Sequence, residues 1–343
     1  MHLVQFETHE GRRLGLVDGR EVVDLSAARP AVARVVDAFA AAEAEGCSLA
    51  ALAAALAERS KVRHAYDALL ENSDLAKGPV LRPPVDHVDP HRVLISGTGL
   101  THLGSAQSRD AMHAPAASQE PMTDSKRMFQ WGVEGGRPAK DSRGTAPEWF
   151  YKGNGAVLRA AGETLEVPPF AEDGGEEPEL VGCYIIDSQG TPRRLGFALG
   201  NEWSDHSTES HNYLYLAPSK LRECAVGPEL VTDSDFQHLE LRCTVERDGQ
   251  TIYDSGVLLS GERNMCHSLA NCEDHHFKYA QHRVPGDVHL HFFGTSKLSF
   301  RNRDWKYADG DLVRVTAEGF SRPLVNRVRR PQSSATPTTV RPA

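Results

Sequence analysis

The second half of the chain is dominated by short apolar segments with the pattern of β-strands. From Leu165 onward these segments follow one another, separated by glycine, proline and polar residues: ELVGCYII, RRLGFALG, LELRCTVERDGQTIYDSG, GDVHLHFFGT and GDLVRVTAEGF. Apolar runs of this length, bounded by turn residues, are typical of β-strands. We therefore expect the larger part of the molecule to be built from β-sheets.

The first third of the chain mixes strand and helix patterns. LGLVDGREVVDL, residues 14–25, alternates apolar and polar residues around Asp18-Gly19, a dipeptide that suits a two-residue hairpin. From Ala31 to about Leu70 the sequence is rich in alanine, and Ser48 is a candidate N-cap, so two helices are expected there. The overall fold class is predicted to be α+β.

A proline-rich segment, PVLRPPVDHVDPHRV at residues 79–93, has the composition of a linker between domains. We therefore predict a small N-terminal domain at residues 1–85 and a larger domain at residues 86–330. The closing segment PQSSATPTTVRPA, residues 331–343, lacks core-forming residues and is predicted to be a disordered tail.

The charge balance bears on possible partners. The chain has 38 basic and 47 acidic residues and a formal net charge of −9, which argues against nucleic acid or an anionic membrane as the main partner. The N-terminal residues do not have the pattern of a secretory signal, and no apolar run reaches the roughly 18 residues that span a bilayer. A cytoplasmic protein that binds a small molecule is expected.

Two glutamates flank a proline immediately before a strand-like run. In GEEPELVG, residues 175–182, Glu177 and Glu179 are two positions apart and would share one face of an extended chain. In an isolated E-x-E the usual explanation is a solvated acidic turn. A third acid, Glu202, follows the apolar strand of GFALGNEWSDH. Three converging carboxylates would suit Mg²⁺, with Mn²⁺ as an alternative, because such hard cations prefer oxygen ligands.

In order along the chain, these motifs resemble the fumarylacetoacetate hydrolase superfamily over residues 93–328. The succession is E-x-E, a strand ending in Asn201-Glu202, a lysine followed by Gly227-Pro228, and a strand-end G-T. GTGLTHLGSA, YLYLAPSKLRECAVGPE and HFFGTSKLSF are most similar to its GguC-like branch and to the 2-keto-3-deoxypentonate dehydratases. The resemblance implies a mixed β-sandwich or β-roll catalytic domain and a homodimer.

The resemblance also implies roles for individual residues. In that family the three acids bind a divalent metal, which transfers to Glu177, Glu179 and Glu202. The lysine beside metal and substrate corresponds to Lys220. The strand-end pair that holds the substrate carboxylate corresponds to Gly294-Thr295.

Two positions depart from the pattern of the carbon–carbon hydrolases in this family. Those enzymes activate water with a histidine and a nearby glutamate, whereas the corresponding positions here are Ser105 and Ser108. Serine alone is not basic enough to generate hydroxide near pH 7, so hydrolysis becomes the second choice. Ser105 is instead predicted to contact the substrate. The other departure is Glu202, where aspartate is more usual.

The proton carriers are predicted from position and chemistry. Lys220 is the first candidate, because a nearby cation and partial burial both favour proton release from a lysine. His102 is the second, with a structural histidine as the alternative. Arg109 and Lys152 are predicted to contact the substrate. The alternative is an ordinary ion pair for Arg109 and, for Lys220, a surface lysine.

Two groups of histidines stand out in the sequence, and the first raises the question of a zinc site. HSLANCEDHHFKYAQHR, residues 267–283, fits no standard zinc spacing, and an ordinary helix is expected. His289 and His291 alternate along one strand, where they line a pocket or form a core pair. The polar stretch at residues 107–148 is expected to be mixed helix and loop, and its length leads to the hypothesis of a mobile cover over the site.

The predicted function is Mg²⁺-dependent dehydration of a 2-keto-3-deoxy sugar acid. The preferred reaction is conversion of 2-keto-3-deoxy-L-arabinonate to 2,5-dioxopentanoate. The alternatives are hydrolysis or decarboxylation of a diketo acid of the fumarylpyruvate or acylpyruvate type, and a non-catalytic sugar-acid-binding protein.

Overall fold

A computed structural model describes residues 1–104, 107, 123–332 and 335–343. The helices in these residues are α1 (Leu25–Ala28), α2 (Val35–Glu45), α3 (Leu49–Arg59), α4 (Tyr66–Glu71), α5 (Asp124–Gly135), α6 (His206–His211), α7 (Leu216–Lys220) and α8 (Leu269–Phe277). The strands of the first half are β1 (His2–Thr8), β2 (Gly11–Asp18), β3 (Glu21–Asp24), β4 (Arg63–Ala65), β5 (Val80–Arg82), β6 (Val93–Gly99), β7 (Glu148–Asn154), β8 (Leu158–Arg159) and β9 (Thr164–Glu166). Those of the second half are β10 (Pro178–Ile186), β11 (Pro192–Asn201), β12 (Cys224–Val231), β13 (Leu239–Arg247), β14 (Gln250–Asp254), β15 (Leu258–Ser260), β16 (Val288–Phe292), β17 (Leu312–Ala317) and β18 (Leu324–Arg329).

The strands form two sheets. The larger has 12 strands in the order β4-β3-β2-β1-β12-β11-β10-β16-β6-β7, with β5 paired to β1 and β8 paired to β12. The smaller has 6 strands in the order β14-β13-β17-β18-β9, with β15 paired to β13. The predicted mixture of helices with large sheets is confirmed. The division into two domains stays a prediction. Strand β1 of the predicted N-terminal domain pairs directly with β12 of the predicted larger domain, so one sheet runs through both.

The N-terminal elements follow the sequence pattern with small differences. The hairpin joins β2 to β3, but its two-residue loop is Gly19-Arg20, one position later than predicted, with φ of +62° at Gly19. The Ser48 side chain caps α3 by accepting from the backbone N–H of Ala51. A short third helix, α4, was not predicted.

Strand β10 is buried along its whole length because its two faces contribute to two different cores. One core lies between the large sheet and helices α2 and α3, and the other lies mainly between the two sheets. The residues facing the first core are Val181, Cys183 and Ile185, and those facing the second are Leu180, Tyr184 and Ile186. This explains the unbroken apolar run, and it places the acids at the start of β10 inside the molecule.

Among the described residues, no single helix is long and apolar enough to cross a membrane. Only α2 and α3 taken together reach that length and composition, and they are bent by 104°. The described residues of the predicted tail form no helix or strand, and its disorder stays a prediction.

Four histidines lie together against the large sheet, between α8 and β16. They are His276, His282, His289 and His291, and each is at most 5% exposed. The ring centroid of His276 lies 4.9, 5.0 and 4.7 Å from those of His282, His289 and His291. His276 Nδ1 accepts from Trp149 Nε1 at 3.2 Å, and His276 Nε2 lies 2.9 Å from His289 Nδ1. The pair on β16 is thus part of the core.

This cluster should make the fold sensitive to acid. Burial, aided by the neighbouring histidines, lowers the pKa of His289 and of His291 to about 3. In the unfolded chain histidine titrates near pH 6.5, so between pH 7 and 5 the unfolded state takes up protons that the folded state does not. Stability is therefore present above the unfolded pKa and is lost as the pH falls below it, by about 1–2 kcal/mol per histidine at pH 5.

Urea unfolding at pH 7 and pH 5 tests this expectation in the wild type and in His289→Asn. Other buried groups titrate in both proteins, so the difference isolates one imidazole. The variant should lose less stability between the two pH values than the wild type does. Equal losses would contradict the expectation.

Candidate active site

The pairing of β10 with β11 brings the three predicted acids together. The strands are antiparallel, with Pro178 opposite Asn201, so the start of β10 lies beside the end of β11. The pairing continues beyond both strands, because the N–H of Glu202 donates to the carbonyl of Glu177 at 2.9 Å. Glu202 therefore reaches the same point as Glu177 and Glu179, although it lies more than twenty residues away in sequence.

The three carboxylates form one compact, buried group. Each offers an oxygen that lies within 4.8 Å of the others, and within the described parts of the chain this is the only set of three acidic, histidine or cysteine side chains that is so close. The exposed fractions are 7% for Glu177, 1% for Glu179 and 0% for Glu202. The predicted convergence is present, and the solvated acidic turn is not what forms.

Two buried lysines contact this acidic group. Lys220, at the end of α7, donates to Glu177 Oε1 and to Glu202 Oε2, and its ammonium lies 4.8 Å from the centre of the Phe150 ring. Lys152, on β7, lies 2.5 Å from Glu202 Oε1. Lys152 also donates to the carbonyls of Trp203 at 2.5 Å and of Lys220 at 3.0 Å. An ammonium has three N–H donors, so these three acceptors use its whole donor capacity.

Three further groups contact the acids. The Ser204 hydroxyl lies 3.2 Å from each carboxylate oxygen of Glu202. His206, the first residue of α6, places Nε2 at 2.8 Å from Glu177 Oε1. The backbone N–H of Gly294 donates to Glu179 Oε2 at 2.7 Å. The charge of Lys220 also attracts the Glu179 carboxylate.

The charge state of each acid follows from these contacts. For Glu177, burial alone would raise the pKa, but Lys220 and His206 outweigh it and hold the pKa well below its usual range. For Glu179, burial together with the charges of Glu177 and Glu202 raises the pKa well above its usual value. Burial also raises the pKa of Glu202, despite the opposing effect of Lys152 and Lys220. The group is therefore short of positive charge at Glu179.

This donor set fits a hard divalent cation. Magnesium and similar ions take carboxylate oxygens, and a cation bound here would supply the positive charge that Glu179 lacks. The longer side chain of Glu202, compared with aspartate, does not prevent its carboxylate from joining the other two.

His102 is linked through Thr101 to the residue before Gly294. Its Nδ1 lies 2.9 Å from Thr101 Oγ1, whose own proton goes to the carbonyl of Phe293 at 2.6 Å, so His102 Nδ1 donates. Its Nε2 is buried and has no hydrogen-bond partner in the described part of the chain. Burial lowers the pKa of His102 to about 4, so the ring is neutral at pH 7 with a lone pair on Nε2.

The structure locates the other predicted residues as follows. Gly294 has a φ of +88°, and a Cβ there would lie 2.3 Å from Thr101 Oγ1, so only glycine fits. The Thr295 hydroxyl donates to the carbonyl of Lys297 at 3.1 Å. Ser105 and Arg109 lie outside the described residues, as does most of the predicted mobile cover before α5.

His206 was not singled out in the sequence. It follows Asp205, whose side chain caps α6 by accepting from the N–H of Thr208. The sequence feature that could have identified His206, four residues after Glu202, is the helix start at Asp205-His206.

Sequence similarity to known proteins covers about half of the chain. No family model matches the sequence. A probable 2-keto-3-deoxyxylonate dehydratase of Haloferax volcanii is 30% identical over 179 residues, which are 51% of this chain and 57% of that protein. The chain thus matches little more than half the length of this curated relative.

Solved structures cover nearly the whole chain. One is 2-keto-3-deoxy-D-arabinonate dehydratase complexed with magnesium and 2,5-dioxopentanoate, with a TM-score of 0.68 at 19% identity over 97% of this chain and 100% of that one. Another is the fumarylacetoacetate hydrolase of Exiguobacterium antarcticum, with a TM-score of 0.61 at 14% identity over 96% of this chain and 100% of that one. The chain has the fumarylacetoacetate hydrolase fold. The resemblance found in the sequence is confirmed, and within this fold the acidic group lies at the start of β10.

Proposed function

We propose that this protein is a Mg²⁺-dependent dehydratase of a 2-keto-3-deoxy sugar acid, with 2-keto-3-deoxy-L-arabinonate as the preferred substrate and 2,5-dioxopentanoate as the product. The observation that carries the proposal is the buried group of Glu177, Glu179 and Glu202 in contact with Lys220. Further support comes from the names of its relatives, one of which was solved with magnesium and 2,5-dioxopentanoate.

Glu177, Glu179 and Glu202 are the residues that would hold the ion. A bound Mg²⁺ would act as a Lewis acid on the keto acid and make its C3 hydrogen more acidic. The protein must then move two protons: one leaves C3, and one is added to the departing C4 hydroxyl so that it leaves as water. This elimination leaves a C3=C4 double bond with the hydroxyl still on C5. A proton then leaves C5 and one is added at C3, which gives the C4=C5 enol, and transfer of the enol proton to C4 gives the aldehyde. The product therefore differs from the substrate by one water, and no further reagent is needed.

Lys220 is suited to the acid role. Its ammonium contacts two carboxylates and the face of Phe150, and all three favour the charged form, which has a proton to give. We assign Lys220 the protonation of the C4 hydroxyl.

His102 is assigned the base role. Its ring is neutral at pH 7 and its buried Nε2 keeps an unshared lone pair. Ser105, Arg109 and the Gly294-Thr295 loop are proposed to contact the substrate. Lys152 was predicted to do the same, but its three protein acceptors favour a structural role.

Hydrolysis is the second candidate, because the fold also carries it. The histidine and glutamate that activate water in such enzymes are replaced by Ser105 and Ser108 in this sequence. A homodimer is a further proposal, to be tested by sedimentation.

The assay combines the purified protein, MgCl₂ and each enantiomer of a 2-keto-3-deoxypentonate, because C4 is the only stereogenic carbon of this substrate. We expect one enantiomer to yield 2,5-dioxopentanoate, detected as a semialdehyde. Lys220→Ala should lower the rate by about 10²-fold, the usual contribution of a general acid. Lys77→Ala, which removes an exposed lysine paired with Asp74, is the control and should be unchanged.

Each other outcome counts against the proposal. A cleaved acid from a diketo substrate, with no semialdehyde, would favour hydrolysis. Binding without turnover would favour a sugar-acid-binding protein. A wild-type rate in Lys220→Ala would remove Lys220 from the mechanism.

A further inference from the structure

We infer that His206 is a positioning residue that fixes the carboxylate of Glu177 in the acidic group. This inference rests on the proposal that the three glutamates hold a divalent cation, but not on the reaction that follows. It assigns a role to a residue that neither the sequence motifs nor the resemblance singled out.

Each of the three carboxylates has at least one partner that contacts no other acid of the group. Glu202 has Lys152 and the Ser204 hydroxyl, Glu179 has the Gly294 N–H, and Glu177 has His206. Lys220 differs because it is shared between Glu177 and Glu202. If Lys220 takes part in proton transfer, it cannot also hold Glu177 in place throughout the reaction. His206 can, since it contacts no other acid of the group in the described structure.

The contact also bears on which oxygen of Glu177 could bind a cation. His206 Nε2 and Lys220 Nζ both donate to Oε1. With Oε1 occupied by two donors, Oε2 is the atom left to bind a cation. The carboxylate accepts, so Nε2 carries the hydrogen. Nδ1 is buried and has no hydrogen-bond partner among the described residues.

The surroundings of His206 are built to hold the ring. The residue is 2% exposed, and its ring centroid lies 5.5 Å from that of Phe300. Gly175 makes room for the ring, because a Cβ at that position would lie 2.1 Å from His206 Nδ1. The backbone of Gly175 is itself fixed by a bridge to Ser204. A substitution at Gly175 therefore offers a way to move the ring without changing its chemistry.

Two titrations of the metal-free, full-length protein test the inference. Binding of Mg²⁺ is measured by calorimetry, and binding of Mn²⁺ is monitored by electron paramagnetic resonance. His206→Leu should weaken binding of both ions by about 10- to 100-fold, the usual effect of removing a hydrogen-bond partner of a metal ligand. His206→Gln keeps an N–H donor at similar reach and should restore most of the affinity. Gly175→Ala should weaken binding as His206→Leu does, and the two effects should not add in the double variant.

His211→Leu is the matched control. It removes another histidine of α6 that is also paired with a glutamate, Glu172 at 2.7 Å, but this pair is exposed. Its ion affinity should equal that of the wild type. Thermal unfolding of each metal-free variant shows which of them are folded.

The outcomes separate this inference from the proposed function. If His206→Leu is folded and binds both ions as tightly as the wild type, the inference is wrong and the dehydratase proposal is unaffected. If His206→Leu does not fold, the result for Gly175→Ala decides: wild-type affinity there refutes the positioning role. If the affinities change as expected but no substrate is dehydrated, only the proposed reaction falls. A wild type that binds neither ion refutes both.

Discussion

Replacing Glu179 with glutamine should abolish Mg²⁺-dependent turnover and, at the same time, stabilise the metal-free protein. Glutamine has nearly the same shape and can still accept the hydrogen bond from the Gly294 N–H. It removes the negative charge that a divalent ion needs. Loss of one carboxylate ligand should lower kcat by about 10³-fold or more, because Lewis-acid stabilisation is worth several kcal/mol.

The gain in stability has a separate cause. Burial and the charges of Glu177 and Glu202 raise the pKa of Glu179 well above its usual value, which means that its ionised form is costly in the metal-free fold. A neutral side chain avoids this cost, so the free energy of unfolding should rise by on the order of 1–2 kcal/mol at pH 8. In the wild type, Mg²⁺ should raise the melting temperature, whereas in Glu179→Gln it should not.

Thermal unfolding with and without MgCl₂, together with the semialdehyde assay, measures both effects. Glu172→Gln is the control, since it neutralises a half-exposed acid near α6 that pairs with His211. A Glu179→Gln protein that keeps wild-type turnover would remove Glu179 from the metal site. If metal-free Glu179→Gln is less stable than the wild type, the argument that ionised Glu179 destabilises the metal-free fold is wrong, but the assignment of Glu179 to the metal site is unaffected.

The acidic group was predictable because its signal is local. Glu177 and Glu179 stand at the start of an apolar run, and Glu202 stands at the end of another. Consecutive strands commonly pair in antiparallel fashion, which brings the start of one beside the end of the next. β10 and β11 pair in this way, with Pro178 opposite Asn201. Family resemblance added Lys220, which no local pattern would have connected to the acids.

The remaining features depend on contacts between distant parts of the chain. β16 pairs in parallel with β6, and His291 of β16 is matched with Ser96 of β6. Nothing in either segment specifies this partner. The sequence therefore could not decide whether His289 and His291 lie in the core or line a pocket. The pairing of β1 with β12 was hidden for the same reason. His206 was overlooked because a histidine at a helix start has many ordinary uses, and its contact with Glu177 exists only once the strands have paired.

The contacts of Lys152 favour a structural role over the predicted contact with the substrate. A lysine that binds substrate needs a free N–H donor, whereas the ammonium of Lys152 already has three acceptors: Glu202 and the carbonyls of Trp203 and Lys220. These carbonyls belong to the segments that carry Glu202 and Lys220. The contacts therefore tie β7 to both sides of the acidic group, and we expect Lys152 to act on stability.

Replacing Lys152 with methionine should lower the free energy of unfolding of the metal-free protein by about 3–5 kcal/mol, the usual cost of removing one partner of a buried ion pair. The side chain is 0% exposed, so water cannot replace the ammonium without a rearrangement. Urea unfolding measures the change, and Lys140→Met, at an exposed position, is the control. Adding Glu202→Gln should recover part of the loss, because it neutralises the carboxylate left without its cation. If Lys152 instead serves the substrate, Lys152→Met will retain wild-type stability and raise KM, and the structural role argued here will be wrong.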